Sequence, residues 1–86
     1  MQIAVYDTYV QRPEGTRMHF DILVPADTQD HARILDYGRR YLAAKGIAPT
    51  ALEARRCNYC HIESASPAVE QEVMTTGFAI LELENC

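Results

Sequence analysis

Two runs, "IAVYDTYV" from Ile3 and "TRMHFDILV" from Thr16, alternate apolar and polar residues and are separated by "QRPEG". Period-two alternation rich in β-branched and aromatic residues predicts strands, and the proline and glycine between them predict a hairpin turn. If Arg12 to Gly15 form the loop, Gln11 stands opposite Thr16. That register puts Ile3, Val5, Asp7, Tyr9, Met18, Phe20, Ile22 and Val24 on one face. Ala4, Tyr6, Thr8, His19, Asp21 and Leu23 fall on the other. A slip of one residue would exchange the faces of one strand relative to its partner. The first face is the more apolar and is expected to be the core, with Asp7 as its sole charge.

Beyond Pro25 the period changes. Ile34, Leu35, Tyr41 and Leu42 recur at helical spacing, with His31 and Gly38 on the same stripe. Asp27 is the expected N-cap and Gly46 the expected stop. A third extended run follows from Leu52 to Ile62. Ser66 then caps a short helix with Pro67 in its first turn, Val69 and Val73 on its apolar side and Gly77 at its end. "FAILELE" forms a fourth strand. The order is ββαβαβ, one α+β domain over residues 1–86: a two-layer sandwich with a four-stranded mixed sheet. Right-handed crossovers are expected to bring both helices to one face.

Composition narrows the function. With 86 residues, 48% hydrophobic, the chain can build a modest globular core. Its longest apolar runs fall well short of the ~18 residues a membrane span needs. "MQIAVYDTYV" lacks a secretory signal pattern, so the expected location is the cytoplasm, with no membrane partner. A net charge of −4 gives no electrostatic basis for binding nucleic acid. The charge is uneven: Arg33, Arg39, Arg40, Lys45, Arg55 and Arg56 gather mid-chain.

"CNYCHIE", residues 57–63, carries the densest chemistry. In a pleated strand Cys57 and Cys60 would point to opposite faces, roughly 10 Å apart along the chain. A disulfide needs Cα atoms within about 7 Å and zinc needs each sulfur at about 2.3 Å, so any shared function requires a turn at Asn58–Tyr59. Tyr59 and Ile62 favour a continued strand, which makes reduced thiols in or beside the core the expected state. The letters C-x-x-C-H match c-type haem attachment, but such proteins are matured outside the cytoplasm. A redox pair using Cys57 and Cys60 would place the first cysteine at a helix N-terminus, whereas the next cap lies at Ser66. Zinc is the stronger chemical alternative, held by Cys57, Cys60 and His61 with Cys86 or His19 completing the set.

The polar hairpin face is a second candidate. Tyr6 would pair with Asp21 and Thr8 with His19, and Tyr59 of the third strand would point the same way. Tyr6, His19, Asp21 and Tyr59 would then form a surface for a small anion, a metal or a protein partner. A two-fold dimer through the uncovered face is a further expectation.

"VYDTYV", "MHFDILVP", "CNYCHIE" and the terminal "ENC" resemble a small family of uncharacterised bacterial proteins described as a domain of unknown function. The resemblance spans essentially the whole chain, falling on Asp7 to Val10, Met18 to Asp21, Cys57, Cys60, His61 and Cys86. It implies a compact α+β domain and brings no activity, ligand or site assignment. Neither a nucleophile–base arrangement nor a phosphate loop is visible, so the expected role is binding or self-association rather than catalysis. No cofactor is expected on that reading, and zinc belongs to the alternative.

Overall fold

A computed structural model describes residues 2–48, 52–62 and 66–86, with backbone alone over 58–62. The order of elements is β1 (Ile3–Gln11), β2 (Arg17–Pro25), α1 (His31–Ala44), β3 (Leu52–Ile62), α2 (Pro67–Thr76) and β4 (Ala79–Glu84). The four strands make one sheet in the order β3-β1-β2-β4. The α+β class and the ββαβαβ order agree with the sequence. The mixed sheet does not: every neighbouring pair is antiparallel. After α1 the chain returns beside β1 rather than β2, and after α2 it returns beside β2. Each new strand therefore meets a neighbour of opposite direction.

The hairpin is shifted by one residue from the expected register, because its loop is shorter. Arg12 N–H donates to Thr16 O at 2.8 Å and Gly15 N–H to Arg12 O at 3.0 Å, closing the turn on Pro13, Glu14 and Gly15. Gly15 sits at φ 96°, the left-handed position that ends a three-residue hairpin loop. Gln11 consequently pairs with Arg17, not Thr16, and Tyr6 with Ile22. The even-numbered residues of both strands share one face and the odd-numbered residues the other. Asp7 and Tyr9 leave the expected core and join His19 and Asp21, while Tyr6 and Thr8 become core.

Each face has its own apolar cluster. Ala4, Tyr6, Val10, Met18, Phe20, Ile22 and Val24 pack against Ile34, Tyr37 and Leu42 of α1. Ile3, Val5, Leu23 and Ala79 pack against Val73 and Val69 of α2. Since successive strand residues point to opposite faces, the two helices lie on opposite sides of the sheet and make three layers, not two. The handedness rule behind the one-face expectation concerns parallel strands. β3 and β4 run antiparallel at opposite edges, so that rule does not direct α2. The apolar odd-numbered residues near the start of β1 require a cover, and α2 supplies it.

Local signals set the helix ends. Asp30, rather than Asp27, caps α1, accepting from Arg33 N–H at 3.3 Å. Thr28 N–H is committed to Pro25 O at 2.9 Å, which holds Asp27 in a turn ahead of the helix. Ser66 caps α2 as expected, and Gly77 terminates it. A stitch joins α1 to β4: the Tyr41 hydroxyl donates to Glu82 and Lys45 Nζ lies 2.7 Å from the same carboxylate. Those donors hold the Glu82 carboxyl below its ordinary pKa, while burial pushes the Tyr41 phenol up. No helix among the described residues is long and apolar enough to cross a membrane.

Gly38 lets α1 lie close to the sheet. A Cβ there would stand 3.2 Å from Leu52 Cδ1 and 3.4 Å from Ile22 Cδ1. Gly38→Leu is therefore expected to overpack this contact and destabilise the protein by about 1–3 kcal/mol, measured by urea denaturation. Unchanged stability would contradict the close approach.

Candidate functional site

α2 covers only the part of its face around Ile3, Val5 and Leu23. Further along the same face lie Asp7, Tyr9, Arg17, His19 and Asp21. Arg55 and Glu53 of β3 stand opposite Asp7 and Tyr9, and Leu81 of β4 stands opposite Asp21. This open half of the sheet holds the main concentration of interacting polar groups among the described residues.

Its centre is a cross-strand carboxylate pair. Asp7 and Asp21 are direct partners in the β1–β2 ladder, and like charges in that position repel. His19 Nε2 lies between them, 3.4 Å from Asp7 Oδ1 and 3.9 Å from Asp21 Oδ1. One ligand atom from each of the three residues falls within 4.8 Å of the others. The imidazole is oriented by stacking. The Tyr9 ring lies 4.3 Å from it at an interplanar angle of 13°, and the Arg17 guanidinium caps Tyr9 at 4.1 Å. The stack Arg17–Tyr9–His19 presents Nε2 to both carboxylates.

The environment acts unequally on the two acids. Asp21 Oδ1 is buried and has no hydrogen-bond partner among the described residues. Burial, then the hydrogen bond and negative charge of Asp7, raise the Asp21 carboxyl to about 6, with His19 pulling the other way. The pair is thus held together by a proton, by a charged imidazole or by a bound cation. A metal 2.0–2.2 Å from each ligand requires neighbouring ligands about 3–3.5 Å apart, so a contraction of about 1 Å brings the three atoms into a coordination shell.

Residues 1–83 match the family described as "Domain of unknown function (DUF2024)". The chain belongs to the DUF2024 family. The fold of this DUF2024 chain is similar to the NMR structure of protein NE1680 from Nitrosomonas europaea, with a TM-score of 0.81 and 31% identity. That match covers 100% of this chain and 99% of the other. Among curated proteins nothing matches.

Of the residues expected from the sequence to form a polar face, the DUF2024 fold brings together His19 and Asp21. Tyr6 is buried in the α1-side core, on the opposite face, because the hairpin register differs by one. The Tyr59 side chain lies outside the described residues. Asp7 and Tyr9 are the members that the sequence reading assigned to the core. The "RPEG" segment, read as a three-residue turn with Gly15 in the left-handed region, carries the signal that would have placed them.

The cysteine segment departs from a regular pleat. β1 advances two residues from Ala4 to Tyr6 while their β3 partners run from His61 to Arg56, five residues. The surplus is a bulge containing Asn58 and Tyr59. Cys57, half-buried just before it, is disulfide-bonded, so the expectation of a reduced thiol held apart by an even strand is overturned. The side chains of Cys60 and His61 lie outside the described residues. Cys86 is an exposed free thiol past β4, its Sγ 3.3 Å from the His19 carbonyl. Cys86 Sγ thus lies beside β2 while Cys57 is on β3, with β1 between them, a separation of roughly 10 Å across the sheet. The His19 imidazole is turned towards Asp7 and Asp21. Neither Cys86 nor His19 therefore joins Cys57 around one ion.

The raised carboxyl gives a pH prediction for the metal-free protein. An acid whose folded pKa exceeds its unfolded value near 3.9 favours folding when protonated. Asp21's contribution is complete below about 4 and lost as pH rises through about 6. Asp21→Asn is expected to gain stability relative to wild type between pH 4 and pH 7 in paired urea titrations, since only wild type loses the protonated contact. A difference that is flat with pH, or of opposite slope, would refute this assignment. Pairing the curves cancels the acids that do not touch Asp21.

Proposed function

We propose that this DUF2024 chain is a binding module for a divalent cation, held by Asp7, His19 and Asp21 on the open half of the sheet. The observation carrying this reading is the placement of two carboxylates opposite each other with one imidazole nitrogen within reach of both. A fold gains nothing from opposing like charges, and a cation converts that repulsion into attraction. One nitrogen and two oxygen donors suit zinc, manganese or ferrous iron better than calcium or magnesium, which prefer oxygen alone. Three protein ligands leave open coordination positions for water or for a ligand of the cation.

The test is calorimetric titration of the purified protein with Mn2+ and separately with Zn2+, with Asp21→Asn and His19→Gln beside wild type. One ion per chain is expected, with binding at least about tenfold weaker in each variant, equivalent to about 1.4 kcal/mol. Saturation at about a hundred times Kd should stabilise wild type by about 2.7 kcal/mol. Stoichiometric binding that both variants retain, or none at millimolar metal, would sink the reading.

A second reading is favoured by the disulfide at Cys57. In the cytoplasm expected from the sequence, disulfides are usually transient and redox-active rather than structural. We infer on this reading that Cys57 and Cys60 form a couple, reduced to two thiols by two electrons and two protons from a dithiol such as thioredoxin. Equilibration against glutathione tests it. A potential above about −300 mV supports exchange, and a lower one makes the bond structural. Metal affinity that is unchanged by reduction would keep the two sites separate.

A further inference from the structure

We propose that the outer edge of β3, with the groove between β3 and α1, receives an extended peptide of alternating apolar and acidic residues as a fifth strand. This inference does not depend on the cation site.

β3 lies at the end of the sheet, and among the described residues its only strand partner is β1. Alternate backbone N–H and C=O groups on its other side therefore point away from the sheet, a template for another strand. A cleft of about 580 Å³ follows this edge, and its lining comes from both sides of β3. On the α1 side Leu52 and Ala54 of the strand face His31 and Leu35 of the helix. On the other side stands Arg55, exposed, its side chain in no hydrogen bond or ion pair among the described residues. A strand added here would send alternate side chains to the two sides, apolar ones into the α1 groove and acidic ones towards Arg55. Strand addition beside a helix is an established way of combining backbone affinity with side-chain specificity.

Charge selects the same partner. Residues 31–56 hold six of the chain's eight Lys and Arg residues but only two of its twelve Asp and Glu residues. Lys45 is committed to Glu82 of β4 at the opposite edge and Arg40 to Asp36, which leaves Arg33, Arg39, Arg55 and Arg56 against Glu53, so the α1–β3 unit is still basic and attracts a negatively charged segment. Glu53 and Asp7 also line the cleft, on the same side as Arg55. They limit the acidic positions to those within reach of the guanidinium.

The experiment uses the full chain, 15N-labelled, and three synthetic peptides: alternating Leu and Glu, alternating Leu and Lys, and the Leu–Glu peptide with alternate amides N-methylated. Amide shifts confined to residues 31–38 and 52–57 are expected on adding the Leu–Glu peptide. The Leu–Lys peptide, and the Leu–Glu peptide on Arg55→Glu, should bind about tenfold more weakly or worse. N-methylation should abolish binding. Because Arg55→Glu sets a carboxylate opposite Asp7, Arg55→Gln is run beside it and should weaken the Leu–Glu peptide in the same direction, with the amide spectrum of each variant checking the fold. The proposal is overturned by no shifts at millimolar peptide or by shifts centred elsewhere. It is equally overturned if the basic or N-methylated peptide binds as tightly, or if a single-stranded oligonucleotide displaces the Leu–Glu peptide from the same amides.

Discussion

The hydrogen bond from Arg12 N–H to Thr16 O, with Gly15 in the left-handed region, sets the register of the central hairpin. Strand side chains alternate with a period of two, so this local constraint decides which residues share a face along both strands. It places Tyr6, Thr8 and Phe20 beneath α1 and aligns Asp7 with Asp21. A loop one residue longer would bury a carboxylate in the α1-side core and expose aromatic rings. The composition of the large core and the chemistry of the open face follow from one turn.

The same alternation explains why the sheet carries two helices of different character. The α1 face is apolar along most of β1 and β2 and takes a fourteen-residue helix. The opposite face is apolar only near Ile3, Val5 and Leu23 and takes a ten-residue helix across that end. The polar remainder is left open because covering Asp7, His19 and Asp21 with apolar side chains would remove their water without replacing it. The uncovered area is thus a consequence of sequence pattern, and the carboxylate pair lies within it.

Much of the fold was legible from period and punctuation. The bounds of β3, the Ser66 cap and the Gly77 stop of α2, and the order of elements follow from residue-level signals that act locally. Strand order and the side taken by α2 did not follow, because they depend on long-range pairing that local propensity does not encode. His19 and Asp21 could be picked out as polar strand residues. Their grouping with Asp7 required the register, and the register required the turn type. The cysteine segment was misread for a related reason: neither glycine nor proline marks its bulge, and Tyr59 favours a pleat. The longer excursion of β3 against β1 overrides that preference.

Division of the apolar residues into two unequal clusters has a thermodynamic corollary. α2 is held on its face through Val69 and Val73, whereas α1 engages seven sheet residues and the interlocked contact at Gly38. Less hydrophobic area must be rehydrated to lift α2 than to lift α1, so the two sides of the sheet form distinct cooperative units of different depth. By this ranking a sub-globally opened member with α2 detached and the hairpin with α1 intact lies lower in free energy than one with α1 detached. In that member the polar half-face widens into a continuous sheet surface running to Ile3 and Val5.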